Sequence, residues 1–248
     1  MTGGTPAVRL DQVSKAFGGR PVLRAVSLEI PAGSAFCVLG RSGSGKSVTL
    51  KHIIGLIAPD SGRVFVQGTD ITGLRGRALS AVRRRMGFVF QDSALFDSIT
   101  VGENVAFPLR RHTRLPDREI VRRARGKLAE VGLDGEFERM PADLSGGMRK
   151  RAGLARAMVL DPDILLVDEP SAGLDPITSR EIDALLIGLR RAGTTLVVVT
   201  HNIPSARAIG DELAVLDGGR LIARGTAAAL ERSEEPLVRA FMRSATGG

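Results

Sequence analysis

Eight residues, Gly40-Arg41-Ser42-Gly43-Ser44-Gly45-Lys46-Ser47, satisfy the pattern G-x-x-x-x-G-K-[ST] at every fixed position. The glycines let the backbone curl so that successive N–H groups point inward as a nest for a polyphosphate. Lys46 is then placed to reach the β- and γ-phosphates, and the Ser47 hydroxyl to ligate Mg²⁺. A helix starting here adds the positive end of its dipole to the same site. The pattern requires a strand before it and a helix after it, and both are legible. Ala35–Leu39 is an apolar run ending at the first glycine, as a buried parallel strand should be. Leu50, Ile53, Ile54 and Leu56 recur at helical spacing until Ala58-Pro59-Asp60-Ser61-Gly62 breaks the helix. The chain is therefore expected to bind a nucleoside triphosphate.

Around this loop, elements alternate. Val8, Leu10 and Val13 mark one strand and Val26, Leu28 and Ile30 a second, with a turn at Phe17-Gly18-Gly19. A strand is expected over 63–67, a helix over 79–85 and a strand over 86–90, ending at Gln91. From Asp92 to about Leu160 the pattern turns helical. Ile120, Val121, Ala124, Leu128 and Val131 form one apolar stripe there, with Arg and Lys opposite. Strand patterns return at 164–167 and 195–199, separated by a helical stretch at 179–191. A short helix follows Pro204, then a hairpin at 213–223, and a helix is expected over 227–243 before a loose tail at 244–248. The expected fold is a doubly wound, mostly parallel α/β sheet with N-terminal antiparallel strands and an inserted helical subdomain. The core would cover about 7–91 and 161–226, the helical subdomain about 92–160, and a C-terminal helix and tail about 227–248.

Later stretches discriminate among the functions a phosphate loop can serve. Asp168 ends an apolar strand, where a carboxylate can hold Mg²⁺ through water beside Ser47. Glu169 follows and suits activation of an attacking water. Leu144-Ser145-Gly146-Gly147-Met148 opens a helix with an N-cap serine and two glycines, a second phosphate-binding device about a hundred residues from the first. A site split across two chains would use both.

Six ordered motifs, Gly40–Ser47, Gln91, Leu144–Met148, Asp168-Glu169, Ser171–Asp175 and His201, make the whole chain resemble the ATP-binding subunit of an ABC transporter. The resemblance implies ATP and Mg²⁺ as cofactors, with Lys46 on the phosphates and Ser47, Gln91 and Asp168 about the metal. It implies Glu169 as general base and His201 on the γ-phosphate. Gln91 would report to the membrane subunit, and Phe17 would stack on adenine. Ser145, Gly146, Gly147 and Met148 would close on the ATP held by a second copy in a head-to-tail homodimer, with Asp175 in the loop that crosses between subunits. His52 and His112 read as structural.

Met148 stands where most of that superfamily has Gln. Together with Gln91–Phe96, Val105–Leu109 and Asp175–Thr178, it makes the chain similar to the Mla/MCE branch. That branch implies an ATPase at the cytoplasmic face of the bacterial inner membrane. It would drive phospholipid or other hydrophobic cargo between inner membrane and outer envelope. The partners implied are a multi-span permease, a periplasmic MCE-domain protein and a small cytoplasmic accessory subunit. Leu95, Phe96, Val101, Val105 and Phe107 would form the groove for a short helix of the permease, the core of the insert, or in part both. The region 237–242 would contact neighbouring subunits.

Composition bears on the alternatives. No run reaches the ~20 apolar residues of a membrane span, and no secretory h-region is seen, so a cytoplasmic address is expected. Cys37 is the only cysteine, which excludes disulfide frameworks and multi-cysteine zinc sites. The net charge is +8, with eight Lys/Arg against two acids between Arg110 and Lys127 and a second cluster at Arg83-Arg84-Arg85. This fits a solvated helix face or an anionic membrane surface. The absence of Trp and Tyr argues against a stacking platform for single-stranded nucleic acid, and no nucleic-acid partner is expected. A soluble ABC ATPase acting on DNA or ribosomes is disfavoured, since the 54 positions from Gln91 to Ser145 are too few for a long coiled coil. A P-loop kinase would leave Leu144–Met148 without a role. A transporter of another cargo, an amino acid or a peptide, remains open.

Overall fold

The structure is a computed structural model that describes residues 4–243. In chain order it runs β1 (Val8–Phe17), β2 (Arg20–Ile30), β3 (Ala35–Leu39), α1 (Lys46–Ile53), β4 (Ser61–Val66), β5 (Thr69–Asp70), α2 (Gly76–Arg83) and β6 (Met86–Val89). Three helices follow, α3 (Val101–His112), α4 (Asp117–Glu130) and α5 (Gly146–Met158). The chain then continues through β7 (Ile164–Asp168), α6 (Pro176–Arg191), β8 (Thr195–Thr200), α7 (Ile203–Ile209), β9 (Glu212–Asp217), β10 (Arg220–Gly225), α8 (Ala227–Glu231) and α9 (Pro236–Arg243).

Two sheets result. The first is antiparallel, in the order β2-β1-β4-β5; the second has the order β10-β9-β3-β8-β7-β6 and is parallel from β9 to β6, with β10 as an antiparallel edge. The strand β3 sits inside the second sheet and alternates between its faces. Ala35, Cys37 and Leu39 pack with helices α3 to α7, whereas Phe36 and Val38 pack with α1 and the antiparallel sheet. A strand covered on both faces must be largely apolar, which is why 35–39, 164–167 and 196–199 carry unbroken apolar runs.

Local chemistry accounts for several boundaries. Val8, Leu10 and Val13 cannot share a face at strict period two. An extra residue in β1 opposite β2, with Gln12 at φ 51, turns Val13 back to the core. Helix α1 stops before Leu56. Gly55 takes φ 70 and its N–H donates to the His52 carbonyl, while the Leu56 N–H donates to that of Lys51. This left-handed C-terminal cap leaves Leu56 half-exposed instead of on the buried stripe that its spacing suggested. The single helix expected over 227–243 is in fact two, α8 and α9, because Pro236 has no N–H and disfavours helical backbone at Glu235. The tail expected to be loose, 244–248, lies outside the described residues. The stripe of α4 is buried as its spacing requires at Ile120, Ala124 and Leu128, with Val131 just beyond the helix end.

Cys37 is wholly buried. Burial pushes its thiol up to about 12, with the carboxylates of Asp183 and Asp211 adding to the effect. The thiolate needed for reaction is therefore absent at neutral pH, and a thiol reagent should label the native protein no faster than the chain unfolds. Rapid stoichiometric labelling in native buffer would contradict this placement.

Candidate nucleotide site

The carboxyl ends of β3, β6, β7 and β8 bring Gly40–Ser47, Gln91, Asp168-Glu169 and Thr200-His201 to one edge of the parallel sheet. A cleft of about 720 Å³ opens there, lined by Arg41, Ser42, Gly43, Gly45, Lys46, Ser47, Gln91, Glu169 and His201, together with Val22, Val48 and Phe241. Gly43 and Gly45 take φ 79 and 106, left-handed values that a side chain would strain. Helix α1 has no side-chain cap on its first N–H groups, so its positive end is open to an anion.

Lys46 is almost fully buried. Its ammonium donates to the Gly40 carbonyl at 2.8 Å and the Arg41 carbonyl at 3.1 Å, and stands 3.5 Å from Glu169 Oε1. The Ser47 hydroxyl donates to Asp168 Oδ1 at 2.9 Å. Burial pushes the Asp168 carboxyl above its ordinary value, while the Ser47 hydroxyl pulls the other way. Glu169 adopts φ 47, so its side chain leaves the strand in a different direction from that of Asp168. Its Oε2 accepts the His201 N–H at 3.2 Å, is 2.9 Å from His201 Nδ1, and accepts the Thr200 hydroxyl at 3.0 Å.

The donor set fits Mg²⁺ held partly by phosphate and water. Ser47 and Asp168 present adjacent oxygens, and among the described residues no cluster of three or more His, Cys, Asp or Glu side chains could cage a metal alone. The buried Ser44 hydroxyl has no hydrogen-bond partner and lies against Gly40, as a polar group in a phosphate nest would before its ligand arrives.

Other expected residues stand apart from this cleft. Phe17 is half-exposed, lies outside the cleft lining and has the Lys15 ammonium 5.5 Å from its ring centroid. Ser145 caps α5, accepting the Met148 N–H at 3.2 Å. Ser145 and Gly146 are exposed, Gly147 is buried with Thr178 where its Cβ would be, and Met148 packs partly against the core. None of the four lines the cleft. Asp175 caps α6 by accepting the N–H groups of Ile177 and Thr178 at 2.9 and 3.0 Å. The Thr178 hydroxyl, then these N–H groups, hold its carboxyl below the ordinary value. His52 is buried with Nδ1 2.7 Å from the Val48 carbonyl, and burial pushes its pKa down, so it is a core histidine.

The five apolar residues expected in a groove or in the core of the insert divide between the two. Val101 and Val105 are fully buried in the core of the insert and Leu95 is partly buried, because they lie on the inward faces of α3 and its approach. The surface groove keeps Phe96 and Phe107 and adds Phe90 and Pro108. Arg84, Arg156 and His112 stand on its rim, and the rings of Phe96 and Phe107 are 5.0 Å apart. Five of the eight bases between Arg110 and Lys127 are paired locally. Arg122 and Arg123 pair with Glu119, Arg110 with Asp117, Arg125 with Glu138, and Lys127 with Glu130 and Asp161.

Lys150 and Thr200 were missed by sequence reasoning. Lys150 is buried, and its ammonium donates to the Gln91 carbonyl at 2.6 Å and the Glu169 carbonyl at 3.2 Å, joining α5 to two edges of the site. Burial pushes its pKa down, against the pull of Asp92, Glu169 and Asp168. The signal was present: Lys150 lies four residues before Leu154, on the buried face of α5, where a charge must find partners. Phe241 of α9 reaches the cleft wall from a region with no motif.

A family model described as ABC transporter matches residues 23–172. The chain belongs to the ABC transporter family. It carries that family's ATPase domain, and a P-loop kinase is thereby set aside. Across 95% of its length the chain is 43% identical to the probable ribonucleotide transport ATP-binding protein mkl of Mycobacterium tuberculosis, and it spans 66% of that protein. It is 41% identical to the intermembrane phospholipid transport system ATP-binding protein MlaF of Escherichia coli K12, covering 95% of this chain and 88% of MlaF. A methionine import ATP-binding protein, MetN of Caulobacter vibrioides, is 42% identical over 88% of this chain and 66% of its own length. Among solved structures, a dimeric ATP-binding cassette in a post-hydrolysis state with ADP and Pi superposes with a TM-score of 0.83 at 35% identity. It covers 88% of this chain and 98% of that one. The parallel core with antiparallel N-terminal strands is thus the architecture of ABC cassettes, as the motif order implied.

Replacing Lys150 with Met removes the donor from two carbonyls. It should lower the unfolding free energy by about 1–3 kcal/mol, read from a urea titration. An unchanged midpoint would mean that these bonds do not stabilise the domain.

Proposed function

We propose that this chain is the ATP-hydrolysing subunit of a membrane transporter, working as a head-to-tail homodimer at the cytoplasmic face of the inner membrane. The observation that carries the chemistry is the convergence of Lys46, the Ser47–Asp168 pair and Glu169 in one cleft beside an open helix N-terminus. In this reading the γ-phosphate takes the place that the loop's own carbonyls and Glu169 now hold around Lys46. Ser47 and Asp168 hold Mg²⁺, with Gln91 beside them, and the ion when bound neutralises charge on the transferring phosphoryl group. Glu169 accepts the proton of a water whose oxygen bonds to the γ-phosphorus as the bond to the β–γ bridging oxygen breaks. The electron pair leaves on ADP. The nest from Gly40 to Gly45 orients the phosphates, and His201 turns from Glu169 to the γ-phosphate.

The exposed Ser145-Gly146 turn supports completion of the cleft by a second copy, since among the described residues it does not line the cleft of its own chain. The Phe90–Phe96–Phe107 groove is proposed as the seat of a permease helix. For cargo, likeness to MlaF along 95% of the chain supports phospholipid or another hydrophobic molecule, moved between inner membrane and outer envelope with a permease, an MCE-domain protein and a small accessory subunit. A second reading keeps the mechanism and changes the cargo to an amino acid, favoured by the 42% identity to MetN. The local pairing of the α4 arginines weakens a nucleic-acid reading.

Glu169→Gln should lower kcat for ATP about 10²- to 10⁴-fold. It should also accumulate an ATP-bound dimer, seen by size-exclusion chromatography with light scattering. Turnover near the wild-type rate would remove the base assignment. Purification from mildly solubilised membranes with mass spectrometry addresses the cargo. A multi-span permease with an MCE-domain protein and phospholipid supports the lipid reading, and a different solute-binding protein overturns it.

A further inference from the structure

Thr200 ends β8 and is wholly buried. Its hydroxyl accepts the Asn202 N–H at 3.0 Å and stands 3.0 Å from Glu169 Oε2. An amide N–H only donates and a carboxylate only accepts, so the single hydroxyl proton is directed at Glu169. With the His201 N–H and ring, three groups converge on Oε2. The other oxygen, Oε1, meets Lys46 at 3.5 Å inside the phosphate cleft.

The three holders are not equivalent. The His201 side chain is 64% exposed and so has room to swing. Thr200 ends a strand paired with both β3 and β7, and its side chain is wholly buried with its hydroxyl bonded on two sides. Glu169 itself sits at φ 47, a backbone conformation that persists only where surroundings impose it.

We propose that Thr200 is a positioning residue for hydrolysis: its hydroxyl holds Glu169 Oε2 so that Oε1 is the oxygen presented to the attacking water. The inference rests on Glu169 as the base. It adds that this carboxylate stays aimed when His201 leaves it for the phosphate.

The test is a double-mutant cycle of Thr200→Val and Glu169→Gln, with Thr200→Ser as the conservative variant, read by steady-state ATP hydrolysis and by nucleotide affinity. Valine keeps the shape and removes both the hydroxyl proton given to Glu169 and the acceptor of the Asn202 N–H, the second loss being common to both Glu169 backgrounds and so cancelling in the cycle. Thr200→Val should lower kcat about ten- to a hundred-fold, the range for a lost hydrogen bond to a charged group, with the KM for ATP within about twofold of wild type. Thr200→Ser should restore most of the rate. In the Glu169→Gln background the valine change should leave the residual rate within about twofold. Should the valine variant misfold, Thr200→Ala carries the same expectations. A wild-type kcat in Thr200→Val beside an inactive Glu169→Gln overturns the role of Thr200 alone. An equal loss in both backgrounds, or a raised KM with unchanged kcat, also overturns it. Full activity in Glu169→Gln removes the base and this proposal together.

Discussion

Parallel pairing of β3, β8 and β7 is the constraint on which the site depends. Leu39 is opposite Thr200 and Val199 is opposite Asp168, so three strands end at one level and deliver Gly40, His201 and Glu169 side by side. The register is held by side chains buried on both faces of the sheet, where a slip of one residue would exchange the sets facing the two cores. The phosphate loop is thus less a local motif than the end of a strand whose neighbours are specified by about 160 residues of intervening chain. Helices α3 to α5 lie within that stretch, and α5 returns to the edge through Lys150, whose ammonium binds the carbonyls of both Gln91 and Glu169.

The electrostatics of the cleft follow from burial. Lys46, Asp168 and Glu169 are all nearly excluded from water, so each charge needs a partner: Lys46 has Glu169 and the loop carbonyls, and Asp168 has the Ser47 hydroxyl. In the proposed mechanism a triphosphate would compete with Glu169 Oε1 for the Lys46 ammonium, so that binding and release of the proposed base would be one event.

Much of this was legible in the sequence because the signals are periodic or geometric. Unbroken apolar runs gave the central strands, and Gly40–Ser47 gave the loop with its flanks. The N-cap pattern at Ser145 placed the start of α5. What was illegible depended on backbone conformations or on three-dimensional convergence. The bulge at Gln12 and the left-handed cap at Gly55 reset apolar periods that looked continuous. Val101 and Val105 could not be told from surface residues without the packing of α3 against α4 and α5, whereas Phe96 and Phe107 do reach the surface. The hydroxyl of Thr200 gained meaning only when β8 was set beside β7.

The phosphate loop borders an open cleft and the Ser145-Gly146 turn lies on a separate exposed surface, so the proposed two-chain site would join them only across a dimer. A complementation assay distinguishes a shared site from a single-chain one, by mixing two inactive variants, Lys46→Ala and Ser145→Arg, and measuring ATP hydrolysis. In a head-to-tail pair the mixed dimer joins the intact loop of one variant to the intact turn of the other. An equal mixture should then regain about a quarter of wild-type activity if the sites act independently. A mixture no more active than its separate components would contradict the shared site.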